Sequence, residues 1–252
     1  MVNVPEQALR LVRDAARVEV FTGAGMSADS GIATYRDAQT GLWENVDPQA
    51  MASIDAWARD PEPMYAWYLW RRSLVAQAHP NAGHAALADW ATIDGVDVTV
   101  TTQNIDDLHE RAGSPDVAHL HGSLFDFRCS ICSRPWRGQV PQLDEPVASL
   151  TPPTCPVCGN LVRPGVVWFG EPLPGKEWDL AEQRMREADL VVIVGTSGIV
   201  YPAASLPVLA HQRGVPILEI TPKETDLSRI ATFSWRATAA EGFPALVRRL
   251  GV

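Results

Sequence analysis

Four cysteines occur in two closely spaced pairs, a pattern that can hold a metal ion. The pairs are Cys129-x-x-Cys132 and Cys155-x-x-Cys158, and the 252-residue chain has no other cysteine. Residues 133–154 separate them, a spacing slightly longer than in the commonest zinc ribbons. Four thiolates can close a tetrahedral shell around Zn²⁺ and leave no open position for water. The spacing predicts a structural zinc site, and the alternative is four free thiols.

Polar side chains near the middle of the chain could contact a ligand. Thr101-Thr102-Gln103-Asn104-Ile105-Asp106 follows a β-branched run, and its amide and carboxylate groups are costly to bury without partners. At the carboxyl end of a parallel strand such groups usually face a ligand, although they can also form a turn that caps the next helix. Further on, His119-Leu120-His121-Gly122-Ser123 offers a titratable imidazole near another strand end, for which a structural role is the alternative.

A glycine-rich turn follows the first predicted strand. Gly23-Ala24-Gly25-Met26-Ser27-Ala28 fits the Gly-x-Gly-x-x-Gly/Ala pattern of a strand-to-helix turn that binds a pyrophosphate, with a plain tight turn as the alternative. A dehydrogenase would end its second strand with an acidic residue about 20 residues further on. That region reads Gly41-Leu42-Trp43-Glu44-Asn45-Val46, and no apolar strand precedes Glu44. The sequence favours dinucleotide binding and argues against hydride transfer.

A tyrosine and an arginine share one face of the helix predicted at residues 61–78. Tyr68 and Arg71 are three positions apart in Met64-Tyr65-Ala66-Trp67-Tyr68-Leu69-Trp70-Arg71-Arg72. A phenol beside a guanidinium can bind a carboxylate through charge-assisted hydrogen bonds. The alternative is that Tyr68 belongs to the core and Arg71 pairs with a surface acid.

Strands and helices alternate along the chain and must position these residues. The predicted strands are near-continuously apolar, as expected for strands covered on both faces; they are Val18–Thr22, Val96–Thr101, Leu190–Gly195 and Pro216–Ile220. The predicted helices cover residues 5–16, 61–78, 82–92, 178–188, 202–213 and 240–250. This alternation predicts an α/β fold with a parallel sheet and helices on both faces.

Two stretches interrupt the alternation. Residues 123–164 hold all four cysteines and several prolines with little periodicity, and we predict a small zinc-binding module inserted into a domain formed by residues 1–122 and 165–252. Residues 34–60 have no strand signature, and we predict a cofactor-binding loop region there.

The composition limits the possible partners. A net charge of −9 argues against nucleic acid, because phosphate backbones require clustered cations, whereas it is compatible with a lysine-rich peptide. No apolar stretch approaches the roughly 20 residues needed to cross a bilayer. The first residues lack the pattern of a secretory signal. We expect a cytoplasmic monomer that binds neither nucleic acid nor membrane.

Several motifs in this order resemble the sirtuin family, and the resemblance spans nearly the whole chain. They are GAGMSADSGIATYR, TQNID, HLHGS, the two Cys-x-x-Cys pairs, RPGVVWFGE and GTSGIVYPAA. The resemblance implies a Rossmann-like domain and a zinc module, with NAD and an acyl-lysine peptide bound in the cleft between them. It also implies NAD-dependent removal of acyl groups from protein lysines, which consumes NAD and yields nicotinamide and O-acyl-ADP-ribose.

The resemblance also assigns individual residues. His121 matches the catalytic base, and an ordinary imidazole pKa near 6.5 suits that task at neutral pH. The implied NAD contacts are Gly23, Ala24, Gly25, Met26, Ser27, Tyr35, Arg36, Trp43, Gln103, Asn104, Ile105, Asp106, Gly195, Thr196, Ser197, Thr221 and Ala239. The implied substrate strand is Val167, Trp168, Phe169, Gly170 and Glu171, which could also be a buried connecting strand.

Tyr68 and Arg71 resemble the Tyr-x-x-Arg of the sirtuin subclass that removes succinyl and malonyl groups, so we predict a pocket for acidic acyl groups. Two departures from the family concern NAD. The usual Gly-Ile-Pro-x-Phe-Arg reads Gly31-Ile32-Ala33-Thr34-Tyr35-Arg36, and the usual Glu-Ile-Asn reads Glu219-Ile220-Thr221, so that Thr221 reaches less far toward a ribose hydroxyl.

Two other classes compete with the deacylase. A nicotinamide-dependent dehydrogenase would need the acidic ribose-binding residue that the sequence lacks. A non-catalytic zinc-ribbon or ADP-ribose-binding module would not require His121 in addition to the Gln103–Asp106 cluster.

Overall fold

The structure is a computed structural model that describes residues 2–32, 47 and 51–251. The chain folds into two compact units. The first unit comprises Met1–Thr34, His79–Leu120 and Pro174–Val252, and the second comprises Tyr35–Ala78 and His121–Leu173. The expected NAD contacts Tyr35, Arg36 and Trp43, and the Ala33-Thr34 departure from the family motif, lie outside the described residues.

The helices and strands are numbered in chain order. The helices are α1 (Glu6–Arg13), α2 (Ile54–Arg59), α3 (Pro61–Gln77), α4 (Ala82–Trp90), α5 (Leu108–Ala112), α6 (Gly175–Glu187), α7 (Leu206–Gln212) and α8 (Ala239–Arg248). The strands are β1 (Arg17–Thr22), β2 (Asp97–Thr102), β3 (Val117–His119), β4 (Gly122–Cys129), β5 (Val162–Val166), β6 (Leu190–Val194), β7 (Ile217–Ile220) and β8 (Phe233–Trp235).

The first unit contains a six-stranded sheet in the order β3-β2-β1-β6-β7-β8, and every neighbouring pair is parallel. The parallel sheet predicted from the sequence is confirmed. β1, β2, β6 and β7 match the four predicted strands to within a residue or two. β3 and β8 were not predicted, because three residues are too few for an apolar pattern to stand out.

Helices cover both faces of this sheet. Val18 and Val20 of β1 pack with apolar residues of α1, α4 and α8 on one face. Phe21 of the same strand packs on the other face with residues of α6 and α7. Side chains alternate between the two faces of a strand, so a strand covered on both faces must be apolar throughout. The continuous apolar runs of the sequence have this cause.

The strand order reverses between β1 and β6. In open α/β sheets the ligand crevice lies outside the carboxyl ends of the strands at such a reversal. The glycine turn follows β1, and Gly195 follows β6. The topology therefore places these two turns at the edge of the sheet where a dinucleotide is expected.

The second unit contains an antiparallel pair, β4 and β5, together with α2 and α3. The aromatic ring of Tyr65 on α3 meets Phe127 of β4 edge to face, with 6.4 Å between ring centroids. This unit groups α3 with the cysteine segment, whereas the sequence assigned residues 61–78 to the larger domain. The domain boundaries predicted at residues 122/123 and 164/165 stay a prediction. Among the described helices, none has both the length and the apolar character required to span a membrane.

A carboxyl group lies inside the first unit, on the face of β1 opposite Val18 and Val20. Glu19 is 1% exposed, and one of its oxygens accepts a hydrogen bond from the Thr99 hydroxyl at 2.5 Å. Its other oxygen, Oε1, has no hydrogen-bond partner among the described residues. Burial raises the pKa of Glu19 to about 7.

We predict that Glu19→Gln removes part of the pH dependence of stability. The folded-state pKa of Glu19 is above the unfolded value, so the wild-type chain loses stability as pH rises from about 4.5 to about 7. The shift corresponds to at most about 3 kcal/mol. Urea unfolding at pH 5 and pH 8 should show a smaller loss in Glu19→Gln than in wild type. Glu145→Gln, at an exposed position, should behave as wild type; an equal loss in all three proteins would contradict the prediction.

Candidate functional site

The turns after β1 and β6 approach each other closely, backbone against backbone. The N–H of Gly25 donates to the carbonyl of Gly195 at 2.8 Å. A Cβ on Gly25 would lie 2.7 Å from the α-carbon of Gly195, and Gly195 itself has a φ of 60° in the left-handed region. Neither position therefore accepts a side chain without a shift of backbone. Beyond Gly23 the chain forms two short 3₁₀ turns, Ala24–Met26 and Ala28–Ser30.

Ser27 connects the glycine turn to the segment after β2. Its hydroxyl donates to the carboxylate of Asp106 at 2.9 Å and accepts from the side-chain amide of Asn104 at 3.1 Å. Asp106 also accepts from the backbone N–H of Leu108, at the start of α5, at 3.1 Å. Burial raises the pKa of Asp106, while these two donors counteract the rise. The structure thus brings together Ser27, Asn104 and Asp106, three of the predicted NAD contacts, through direct hydrogen bonds.

His84 completes this network and was missed by the sequence analysis. Its Nδ1 lies 3.3 Å from the backbone N of Asn81, and its Nε2 lies 3.5 Å from the Ser27 hydroxyl. Because an N–H faces Nδ1, we assign the ring proton to Nε2, which then donates to Ser27. Burial lowers the pKa of His84 to about 4, so the ring is neutral. The Asn81-x-x-His84 spacing of a helix-capping box was the available signal.

Asn81 fixes the glycine turn from the start of α4. Its side-chain amide donates to the Met26 carbonyl at 2.9 Å and to the Ser30 hydroxyl at 3.0 Å. The side-chain oxygen of Asn81 accepts from the N–H of Gly83 at 2.9 Å and so caps the helix. The turn is therefore held by a helix cap that lies 51 to 55 residues away in sequence.

Gln103 links the segment after β2 to the turn after β6. Its side-chain amide donates to the hydroxyl of Thr196 at 2.9 Å. The remaining predicted NAD contacts of the first unit also follow strands or begin a helix: Ile105 follows β2, Ser197 follows β6, Thr221 follows β7, and Ala239 begins α8. The parallel strands thus bring the predicted groups to one edge of the sheet, as expected from its topology.

The two histidines of His119-Leu120-His121 have different surroundings. His119 lies at the end of β3, where Nδ1 contacts the Asn104 carbonyl at 2.9 Å and Nε2 contacts Glu110 at 2.6 Å. Burial is the largest single influence and opposes its charge, but the hydrogen bonds to Glu110 and Asn104 and the negative charge of Glu110 together outweigh burial and raise the pKa of His119. His121 lies in the second unit just before β4 and is partly buried. Its backbone carbonyl accepts a hydrogen bond from the N–H of Val167 at 2.8 Å. His119 is therefore structural, and the predicted base is not part of the hydrophobic core.

The four cysteine sulfurs lie close enough to share one metal ion. All four Sγ atoms lie within 4.8 Å of one another. Cys129 and Cys158 are 3.4 Å apart at Sγ, and Cys132 and Cys155 are 3.9 Å apart. A tetrahedral zinc site with metal–sulfur bonds of about 2.3 Å has sulfur–sulfur edges of about 3.8 Å. The donors therefore fit zinc in number, type and separation, as the sequence predicted.

The predicted substrate strand follows β5 and is held by a buried ion pair. The guanidinium of Arg163 binds the carboxylate of Glu171 through two contacts, of 2.5 and 2.9 Å. Glu171 also accepts the N–H of Trp168 at 2.9 Å. Burial opposes ionisation, but Arg163 lowers the pKa of Glu171, which stays a carboxylate. Glu171 thus has a structural partner that the sequence did not reveal, and its role toward substrate stays a prediction.

Like Gly170, Phe169 is an exposed residue of this segment. Its side chain is 43% exposed, while its backbone N–H donates to the Ala52 carbonyl at 2.9 Å and forms a parallel bridge with Ser53. Val167 bonds to His121, as described above. Gly170, with a φ of 89°, turns the chain toward Glu171.

Tyr68 and Arg71 lie on one side of α3, and Tyr68 packs against the predicted substrate strand. The Tyr68 ring is 2% exposed and stacks on Trp168, with 6.2 Å between ring centroids. The Arg71 guanidinium lies 4.9 Å from the ring centroid of Trp67. Burial raises the pKa of Tyr68, so its phenol keeps a proton that it can donate. Tyr68 is therefore a core residue whose phenol group retains its proton.

Together these features define a dinucleotide-binding α/β protein with a four-cysteine metal module. A model of the Sir2 family matches residues 23–202, and the chain belongs to this family. It is 75% identical to the NAD-dependent protein deacylase 2 of Corynebacterium efficiens, over 98% of this chain and 97% of the relative. It is 51% identical to an NAD-dependent protein deacylase of Mycobacterium tuberculosis, over 93% of this chain and 98% of the relative.

Solved structures agree. A Sir2 homologue in complex with NAD is 43% identical, with a TM-score of 0.89 over 98% of this chain and 94% of the other. A complex of Sir2 with a p53 peptide and NAD⁺ is 30% identical, with a TM-score of 0.81 over 98% of each chain. The predicted family and Rossmann-like fold are confirmed. The family match and the relatives named as NAD-dependent protein deacylases argue against the rival dehydrogenase.

We predict that Gly25→Ala disturbs both stability and NAD binding. Its methyl group would collide with the Gly195 backbone, and overpacking of this kind costs about 1–3 kcal/mol. Chemical unfolding and calorimetric titration with NAD measure the two effects. Gly175→Ala is the matched control, because a Cβ at this first residue of α6 meets nothing within 4 Å. Unchanged NAD affinity in Gly25→Ala would show that the turn tolerates a side chain.

We also predict about one zinc ion per chain, lost in Cys132→Ser. Removing one thiolate opens the coordination shell, so the melting temperature should fall together with the metal content. Elemental analysis and thermal unfolding of the same samples provide the measurement. Ser130→Ala, between the first two cysteines, should keep the metal. A metal-free wild type with an unchanged melting temperature would refute the structural role.

Proposed function

We propose that this chain removes acyl groups, including succinyl and malonyl, from protein lysines in a reaction that consumes NAD. NAD-dependent protein deacylase is the activity named for relatives that match it over nearly their whole length. The proposed reaction also consumes one water molecule, and its products are free lysine, nicotinamide and O-acyl-ADP-ribose. The proposed substrates are acylated lysine side chains in proteins or peptides, supported by a solved relative that holds a p53 peptide.

The NAD-binding part of the proposal is supported by the edge of the sheet in the first unit. We assign the glycine turn and the β6 turn to the phosphates and adenosine, and the Gln103–Asp106 segment to nicotinamide and ribose. When bound, NAD supplies the carbon to which the acyl oxygen is transferred and the nicotinamide leaving group. Asp106 and Ser27 hold this region in place through their mutual hydrogen bond.

His121 is the proposed general base. Its imidazole would accept a proton from the ribose hydroxyl system, so that the acyl group passes to that oxygen. A neutral imidazole is needed for this step, because the ring must offer a nitrogen lone pair to accept the proton.

The preference for acidic acyl groups depends on one observation, the placement of Tyr68 and Arg71 on the side of α3 that carries the Trp168 contact. Tyr68 offers a protonated phenol, and Arg71 offers a planar guanidinium. A carboxylate of a succinyl or malonyl group would accept from both. An acetyl group lacks the carboxylate and gains nothing from this pair.

The net charge of the chain indicates which partners it favours. The chain has a net charge of −9, which favours basic lysine-containing segments and disfavours nucleic acid. We propose a monomer that acts in the cytoplasm. Size-exclusion chromatography with light scattering tests the oligomeric state.

We predict that Arg71→Met reduces desuccinylation far more than deacetylation. Loss of a hydrogen-bonded charge pair costs about 1.5–3 kcal/mol, equal to a loss of roughly 10- to 150-fold in kcat/KM for the succinyl peptide. The assay uses peptides that differ only in the acyl group, with mass spectrometry in the presence and absence of NAD. Nicotinamide and O-acyl-ADP-ribose should appear only with acyl peptide.

Arg72→Met is the control, because Arg72 is adjacent on α3 but lies over Phe125 instead, 5.5 Å from the ring centroid. It should leave the ratio of succinyl to acetyl rates unchanged. Equal losses on both substrates in Arg71→Met would disprove the acyl preference and leave the deacylase reaction intact. Absence of NAD-dependent products in wild type would disprove the reaction itself.

A further inference from the structure

A second buried carboxylate of the sheet, on β7, has its hydrogen-bonding capacity filled. Glu219 is 0% exposed, and its oxygens accept from the hydroxyls of Thr225 at 2.5 Å, Ser228 at 2.7 Å and Ser234 at 2.7 Å. Arg236 adds a guanidinium contact at 3.2 Å. All four donors come from residues that follow β7 in the chain. Burying a carboxylate is costly unless donors of this kind surround it.

These donors give loop 221–232 a fixed path. The Thr225 hydroxyl that donates to Glu219 also accepts the N–H of Leu227 at 3.2 Å. The hydroxyl of Ser228 likewise accepts the N–H of Thr225 at 2.9 Å. Each hydroxyl therefore connects the carboxylate to the loop backbone. A side chain on the strand thus determines the backbone conformation of the loop.

The same loop contacts the turn after β6. The N–H of Asp226 donates to the carbonyl of Ser197 at 3.1 Å. Leu227 packs beside Gly198, where a Cβ would lie 2.6 Å from the Leu227 side chain. At the other end of the loop, the N–H of Thr221 donates to the Trp235 carbonyl at 3.1 Å. The loop therefore holds the turn that carries Ser197, which is assigned above to the phosphates and adenosine of NAD, and it begins at Thr221, the predicted contact to a ribose hydroxyl.

We infer that Glu219 is a positioning residue for NAD, which through loop 221–232 holds the turns after β6 and β7 in a binding-competent arrangement. This inference rests on the proposed NAD contacts. Glu219 is fully buried. It reaches the loop through the hydroxyl groups of Thr225 and Ser228 and through Arg236, whose guanidinium also donates to the Lys223 carbonyl at 3.1 Å, so it acts through its neighbours. Its chemistry is suited to this task, because one carboxylate can accept several hydrogen bonds, while a neutral amide presents two N–H donors in place of one oxygen.

The test is Glu219→Gln, which keeps the side-chain volume. The amide N–H groups would face hydroxyl and guanidinium donors, so the loop should loosen. We expect the KM for NAD to rise about tenfold, the effect of one lost hydrogen bond to a charged group, with kcat and the peptide KM nearly unchanged. Amide hydrogen exchange in residues 223–230 should accelerate.

The matched control is Glu19→Gln, the same substitution at a fully buried glutamate of β1, two strands away in the same sheet. It should leave the KM for NAD and the exchange of residues 223–230 as in wild type. If Glu219→Gln fails to fold, Ser228→Ala removes one donor at a partly buried position and should give a smaller change of the same kind.

Calorimetric binding of NAD without peptide separates the proposed function from the positioning role. Wild type that binds no NAD would refute the proposed function. Wild type that binds NAD, while the Glu219 and Ser228 variants bind it as tightly and differ only in melting temperature, would overturn the positioning role alone. A rise in the KM for NAD in both variants, with unchanged peptide KM, would establish it.

Discussion

The close approach of two backbone turns is the constraint on which the rest of the first unit depends. Gly25 and Gly195 lie so near each other that a Cβ on either would meet the backbone of the opposite turn. This contact joins β1 to β6 where the strand order reverses, the position at which α/β sheets form their ligand crevice. The bond from Gln103 to Thr196 brings the segment after β2 to the same place. The glycine motif therefore allows the two turns at the sheet edge to pack closely, in addition to any contact with a phosphate.

Buried carboxylates show how this chain combines a stable core with fixed loops. Glu219 is surrounded by four donors, Asp106 has two, and Glu171 has a bidentate arginine. Glu19 differs, since one of its oxygens has no partner among the described residues, and its pKa rises to about 7. The contrast follows from the partners: the three satisfied groups accept hydrogen bonds from loop residues or an arginine, whereas Glu19 accepts one from Thr99 of the neighbouring strand β2.

Features determined by neighbouring residues could mostly be predicted from the sequence, whereas contacts between residues distant in the chain mostly could not. Strands such as Leu190–Val194 were predictable because burial on both faces makes every residue apolar. The cysteine cluster was also predictable, since thiol chemistry and pair spacing define it. The bond between Ser27 and His84 was not, because 57 residues separate them and either side chain could have had another partner. The ion pair between Glu171 and Arg163 was not predictable either, because nothing in the sequence identifies Arg163 as the partner of Glu171.

This distinction changes the meaning of the residues that the family resemblance assigned to NAD. Side chains at a ligand site either face the ligand or hold those that do, and motif positions alone do not separate the two. Asp106 accepts hydrogen bonds from Ser27 and Leu108, so its carboxylate is already bonded within the protein. Gln103 bonds across to Thr196 in the same way. Pre-organised groups of this kind bind a ligand at less entropic cost, because their conformations are already fixed by the fold. The departure at Thr221 then matters less than its side-chain length suggests, since its backbone N–H is held by the Trp235 carbonyl of β8.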